Sequence, residues 1–175
     1  MTVTIDGSAS VTINSGAVLG INSSTAVAST SGTSIDFTSI PSWVKRITVM
    51  FNGVSTSGTS NLQIQLGTSS GVTSTGYLSY SIRLSTSAVS GGANFTTGFG
   101  ISAATASYVM SGATTISSFS GNTWAANGFY AESTTVIGLP VAGAVTLAAT
   151  LDRVRITTVN GTDTFDAGTI NILYE

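Results

Sequence analysis

Residues 77–85 read YLSYSIRLS and residues 61–67 read NLQIQLG. In the first stretch Leu78, Tyr80, Ile82 and Leu84 share one side of an extended chain, opposite Ser79, Ser81 and Arg83. In the second, Leu62, Ile64 and Leu66 alternate with Gln63 and Gln65. Successive side chains of a strand point to opposite faces, so strict alternation over four to eight residues marks a half-buried antiparallel strand. The same period recurs in SVTIN (Val11, Ile13), AVTLAATL (Val145, Leu147, Ala149, Leu151) and GTINILYE (Ile170, Ile172, Tyr174).

Helix signals are poor, because Ser, Thr, Gly and Val dominate and all rank low in helix propensity. Even ISAATASYVM, residues 101–110, reads as strand or loop. Asn-Gly pairs at 52–53, 127–128 and 160–161 are candidate tight turns, since both residues tolerate positive φ. Pro41 stands where it can precede a strand without costing a ladder bond, and Pro140 reads as a loop residue. Many short strands with frequent turn signals predict an all-β fold, an antiparallel β-sandwich of jelly-roll-like kind over residues 34–175. Residues 1–33 are almost uncharged and contain no aromatic ring. They read as an N-terminal β arm or stem, or else as the first strands of the sandwich, with a break near residues 31–34.

Charge is scarce. Twelve residues of 175 are charged, for a net charge of -2, and Ser and Thr make up about a third of the chain. An apolar fraction of 42% argues against disorder, and a chain of this length can bury roughly 70% of its unfolded surface. With no cysteine there is no disulfide framework, and with no histidine there is no Ser-His-Asp triad and no His-ligated zinc. Five basic residues are too few for a nucleic-acid footprint. No apolar run approaches 18 residues, so no membrane insertion is expected, and the start, MTVTIDGS, lacks the basic and apolar segments of a signal peptide.

Two of the five cations, Lys45 and Arg46, stand together inside the apolar stretch SIPSWVKRITVMFNGV, residues 39–54. A strand from Trp43 to Phe51 would put Trp43, Lys45, Ile47, Val49 and Phe51 on the core face, with Lys45 at its wet end, and Arg46 and Thr48 on the other. Basic residues there either guard an apolar strand against edge pairing or enter ion pairs. Residues 155–157 echo 46–48, each reading Arg-Ile-Thr. If both strands share a sheet, Asp36 or Asp152 can pair with these arginines, so Lys45, Arg46, Arg153 and Arg155 are assembly or salt-bridge candidates.

The acidic residues are too dispersed for the facing carboxyls of a glycosidase. Only Asp163 and Asp166 are close, in the apparent hairpin loop NGTDTFDAG, where carboxylates cap turns. They are also weak calcium candidates, although the spacing matches no EF-hand loop. No P-loop lysine follows the Gly- and Ser-rich stretches. No catalytic residue and no cofactor is expected. The richest candidate binding stretch is GNTWAANGFYAES, residues 121–133. Its Trp124, Asn127, Tyr130 and Glu132 combine rings with polar groups, as a glycan-binding patch needs, unless Trp124 and Phe129 are core residues flanking a turn at Asn127-Gly128.

The stretch IDFTSIPSWVKRITVMFNGVSTSGTSNLQIQLG, the following TGYLS, and the C-terminal LDRVRITTVNGTDTFDAGTINILYE resemble a recurrent domain of tail-fibre and appendage proteins of tailed bacteriophages. The similarity spans about residues 35–175, carried by the two end blocks, and residues 85–140 do not match. It implies a non-enzymatic virion protein made in the host cytoplasm, β-sandwich in fold and homotrimeric. Its expected partners are other virion proteins and a host surface glycan or protein. No catalytic motif comes with it. A tail-fibre or receptor-binding subunit is the first expectation, and a purely structural capsid decoration or head-fibre protein the alternative. The chain is short for a fibre, and its Met1 reads as the start of a complete product.

Overall fold

A computed structural model describes residues 11–13, 16–18, 20–134 and 136–175. Every element in it is a strand. The chain begins with β1 (Val11–Ile13), β2 (Gly16–Val18), β3 (Asn22–Ser23), β4 (Val27–Ala28) and β5 (Ser34–Phe37). It continues through β6 (Arg46–Thr56), β7 (Leu62–Thr68), β8 (Gly71–Val72), β9 (Leu78–Leu84), β10 (Val89–Phe95) and β11 (Phe99–Ile101). The last five are β12 (Met110–Ser120), β13 (Thr123–Glu132), β14 (Ile137–Thr146), β15 (Arg153–Thr158) and β16 (Phe165–Tyr174).

Two antiparallel sheets pack face to face as a β-sandwich. The larger has nine strands, in the order β10-β9-β14-β13-β12-β6-β16-β3, with β4 also on β16. The smaller has five, in the order β11-β7-β15-β5, with β8 on β7. β1 and β2 form a separate two-stranded ladder. The division is unequal, whereas a jelly roll shares eight strands between two sheets. From Asn22 onward the proposed N-terminal arm lies along the edge of the larger sheet, and Ser29 Oγ donates to Ala167 O at 2.8 Å. The break expected near residues 31–34 is where the chain leaves β4 in the larger sheet for β5 in the smaller. Residues 1–10 of that arm lie outside the described residues, as do the side chains of Val11 and Ile13.

β6 follows the alternation. Ile47, Val49, Phe51 and Val54 are buried in the layer between the sheets, while Arg46 and Thr48 face outward. The strand starts later than expected. Val44 N donates to Pro41 O at 3.0 Å in a turn, so Trp43 and Lys45 are not strand residues and Val44 is buried instead. Ile64, Leu66, Val154 and Ile156 supply the facing layer, and Ile170 and Ile172 extend the core along β16. The sheets are also tied by Tyr77. β11 covers β7 only at Leu62–Ile64 and β8 covers it only at Gly67 and Thr68, so Leu66 falls between them. Its N–H donates to the buried Tyr77 hydroxyl at 2.7 Å, which satisfies a backbone donor that would otherwise be orphaned.

Several local expectations are corrected. Gln63 and Gln65 are buried rather than solvated, because the segment before β11 covers them: Thr97 Oγ1 donates to Gln63 Oε1 and Gln65 Nε2 donates to Thr97 O, both at 2.8 Å. Pro140 lies inside β14, opposite Phe129, and not in a loop. Ala149 is exposed beyond the end of β14. Of the three Asn-Gly pairs only Asn160-Gly161 makes a turn. Asn127-Gly128 sits mid-strand in β13, and Asn52-Gly53 is a bulge in β6, where ladders to β12 and β16 on both sides carry the chain straight on.

At that bulge Gly53 has φ 66° and faces Gly168 of β16, with φ 91°. A Cβ on Gly168 would lie 2.3 Å from Gly53 O, so neither the backbone angle nor the space admits a side chain. Gly168→Ala is expected to lower unfolding stability by about 3 kcal/mol in a urea titration. A change below about 1 kcal/mol would show that the paired bulge relaxes freely.

Candidate functional site

The stretch at residues 121–133 becomes β13 and the turn before it. Alternation sends Trp124, Ala126, Tyr130 and Glu132 inward and Ala125, Asn127, Phe129 and Ala131 outward. Trp124 is 4% exposed, Tyr130 0% and Glu132 1%. The expected glycan-stacking rings are therefore core residues, and the exposed ring is Phe129, at 54%. The outward set shares Asn127 as its one polar member. The core alternative has Trp124 and Phe129 buried on either side of a turn at Asn127-Gly128; with that pair in mid-strand, Trp124 is buried and Phe129 is not.

Gly128 is there for packing. A Cβ at that position would lie 2.4 Å from Thr114 Oγ1 on β12. The hydroxyl it leaves room for is 2.8 Å from the Tyr130 hydroxyl, and both are buried. Burial pushes the Tyr130 phenol well above its ordinary range, the Thr114 hydrogen bond offsetting this only in part. The Tyr130 ring also packs on Phe51, centroids 4.9 Å apart. Glu132 accepts a hydrogen bond from Thr134 N at the end of the strand. None of these groups is placed to meet a ligand.

The four cationic candidates lie apart. Arg46 pairs with Glu175, joining the start of β6 to the end of β16, where Arg46 N and Lys45 N both donate to Glu175 O at 2.9 and 2.7 Å. Arg155 faces Asp36 in register across β15 and β5. Its Nε and Nη2 donate to the two carboxylate oxygens at 2.7 and 3.0 Å, and this raises the guanidinium pKa further. Arg153 pairs with its neighbour Asp152 at 2.8 Å. Both acid partners named from the sequence are thus engaged, but β6 and β15 lie in opposite sheets, so the shared-sheet premise fails. Lys45 has no carboxylate within ion-pair distance among the described residues. It lines a cavity of about 200 Å³ with Ser42, Ser118, Asn122 and Trp124. The Trp124 Nε1–H is buried and has no hydrogen-bond partner among the described residues.

Asp163 lies in the loop between β15 and β16, and Asp166 is the second residue of β16. Asp163 accepts from Asn160 Nδ2 at 2.7 Å and from Ser60 N at 2.9 Å, and Asp166 accepts from Ser55 Oγ. The hydrogen bonds to Asn160 and then Ser60 hold the Asp163 carboxyl below its ordinary range. The turn itself is capped by Asn160 Oδ1, which accepts from Thr162 N and Asp163 N, and the two carboxylates hold it and the start of β16 to Ser60 and Ser55. Among the described residues, no three His, Cys, Asp or Glu side chains lie close enough to share a metal ion.

The chain was compared with family models, with curated proteins and with solved structures, and nothing matches it.

Two outcomes follow from these bonds. Tyr130→Phe strands the Thr114 hydroxyl in the core and should cost about 1 kcal/mol in chemical denaturation, with the native spectrum retained. Asp163 has a depressed folded pKa, so it stabilises the fold above its unfolded pKa and loses that contribution as pH falls through the folded value. Asp163→Ala should therefore be less stable than the parent at pH 7, with the two converging in acid. Parallel stability curves down to the acid limb would contradict this.

Proposed function

We propose that this chain is a non-enzymatic subunit of a bacteriophage virion, an appendage or fibre component whose contribution is structural. The observation that carries this reading is the use of the carboxylates. Asp36 and Glu175 hold strands to their neighbours, Asp163 and Asp166 hold a loop, Asp152 pairs with Arg153, and Glu132 ends a strand in the core. Groups committed in this way serve architecture. The burial of Trp124 and Tyr130 weighs in the same direction, since exposed rings would have favoured glycan recognition. The resemblance of residues 35–84 and 141–175 to phage appendage domains supplies the biological setting. It also supplies the expectations of a homotrimer and of neighbouring virion proteins as partners.

A receptor-contacting role is the second reading. It is favoured by the cavity beside Lys45 and Asn122, the one place among the described residues where an unpaired cation stands beside an amide and a buried indole. A host glycan or protein would be its ligand.

Mass spectrometry of density-purified particles from a lysate of the encoding phage tests the proposal. The chain is expected in intact particles, and its absence from them would reject a virion role. Fluorescently labelled protein applied to host cells separates the two readings. The structural reading expects no saturable binding, and saturable binding abolished by Lys45→Ala would favour the receptor role.

A further inference from the structure

The larger sheet has an outer face that the smaller sheet does not cover, and on three of its strands that face is apolar. β9 presents Leu78, Tyr80, Ile82 and Leu84, whereas β14 beside it presents Gly138, Pro140, Ala142 and Ala144. β13 follows with Ala125, Asn127, Phe129 and Ala131. Tyr80, Ala142 and Asn127 stand in one cross-strand row, and Leu78, Ala144 and Ala125 in the next. No charged residue lies among these twelve positions. Leu78 is 79% exposed and Tyr80 50%.

Half-burial would ordinarily turn the apolar side of β9 inward, and here it is turned out. The register is pinned by the opposite side. Ser79 and Ser81 are buried between the sheets, where Gly100 N donates to Ser79 Oγ at 3.2 Å and Ser102 N donates to Ser81 Oγ at 3.1 Å. A one-residue slip would bury the leucines but leave both backbone donors unsatisfied. The serines are required inside, so the apolar row is held outside.

We propose that the outer face of β9, β14 and β13 is a self-association surface on which a second copy of this chain seats. The relief fits such an occupant. A ridge of large side chains on β9 runs beside small ones on β14; the Phe129 ring lies over Gly138, so the open trough runs from Pro140 to Ala144, and a copy facing it can lay its own ridge there. The absence of charge gives no handle to an acidic or basic partner. The size is also adequate. With the adjoining Ala113, Thr115 and Ser117 of β12, four strands spaced about 4.8 Å apart and seven residues long span roughly 500 Å² in projection. Protruding rings raise the accessible area towards the ~800 Å² per partner of a stable pair, with Thr115, Ser117 and Asn127 as its polar members.

The proposal deepens the structural reading above, and its test is separate from the particle analysis. Light scattering on the purified full chain at about 100 µM is expected to give a multiple of 17.6 kDa. Ala142→Arg, in the trough, and Tyr80→Lys, on the ridge, should each weaken association by about tenfold or more. Val159→Arg, on an exposed turn outside this face, should not. Melting curves confirm that each variant is folded, and because both test positions are exposed, one folded variant suffices. A monomeric parent, or folded variants that keep the parent's mass, would overturn the proposal. A chain found in particles yet monomeric alone would sink this inference and leave the virion role standing.

Discussion

The layer of aliphatic side chains between the two sheets is the constraint on which the rest depends, and β6 is its axis. β6 is laddered to β12 on one side and to β16 on the other, so Ile47, Val49 and Phe51 cannot rotate out of the core without breaking two sets of backbone bonds. Burying each such side chain contributes about 1.5–3 kcal/mol, and the facing Ile64, Leu66, Val154 and Ile156 are held by equally regular pairing. With the axis fixed, the bulge at Gly53 and the reach of Arg46 to Glu175 follow from where β6 must run. The charges that interrupt residues 39–54 are explained by the same frame. Arg46 begins the strand and ties its outer side to the chain's last residue. Lys45 lies just before the strand, in the solvent-facing turn.

What was legible in the sequence was whatever depends on period alone. The all-β class and the inward aliphatic residues of β6, β7 and β16 follow from alternation, whereas the sequence offers Asp36 and Asp152 only as alternative partners for the arginines. What was not legible depends on which elements become neighbours. Asn-Gly is a turn when the chain is free to reverse, as at Asn160, and a strand or bulge when ladders on both sides forbid it, as at Asn127 and Asn52. Pro140 could be placed in a strand only once its neighbours were known. For the same reason the sequence leaves open whether Trp124 and Tyr130 face solvent or the core. Parity along β13 sends them inward as soon as the Asn127-Gly128 pair is read as strand.

β9 shows the limit most clearly, because its alternation is flawless and the inference of inside from outside is reversed. Periodicity says which residues share a face, and it does not say which face is buried. Hydrophobicity usually decides that. In β9 the decision falls to two backbone donors, Gly100 N on β11 and Ser102 N just after it, which need acceptors inside the sandwich. An unsatisfied buried N–H costs about 1–3 kcal/mol, comparable to what burying a leucine contributes, so two of them can outweigh the exposure of Leu78 and Tyr80. The balance tips further if the exposed row is covered by something else.

A chain with so few charges has little electrostatic means of keeping copies apart. Its hydroxyl-rich surface is soluble but not repulsive, and close approach of identical molecules meets no barrier beyond desolvation of Ser and Thr, which readily exchange water for one another as partners. The charges present are committed to partly exposed pairs, at Asp36–Arg155 in the smaller sheet and at Arg46–Glu175 at one end of the larger sheet, and none lies on the outward side of β9, β14 or β13. Edge strands that would invite open-ended pairing are short, as at β3 and β4, or end the sheet with glycines, as at β10 with Gly91 and Gly92. Association through a face and not through an edge is what this distribution favours. A self-complementary face closes on a pair of copies, whereas an unpaired edge can propagate.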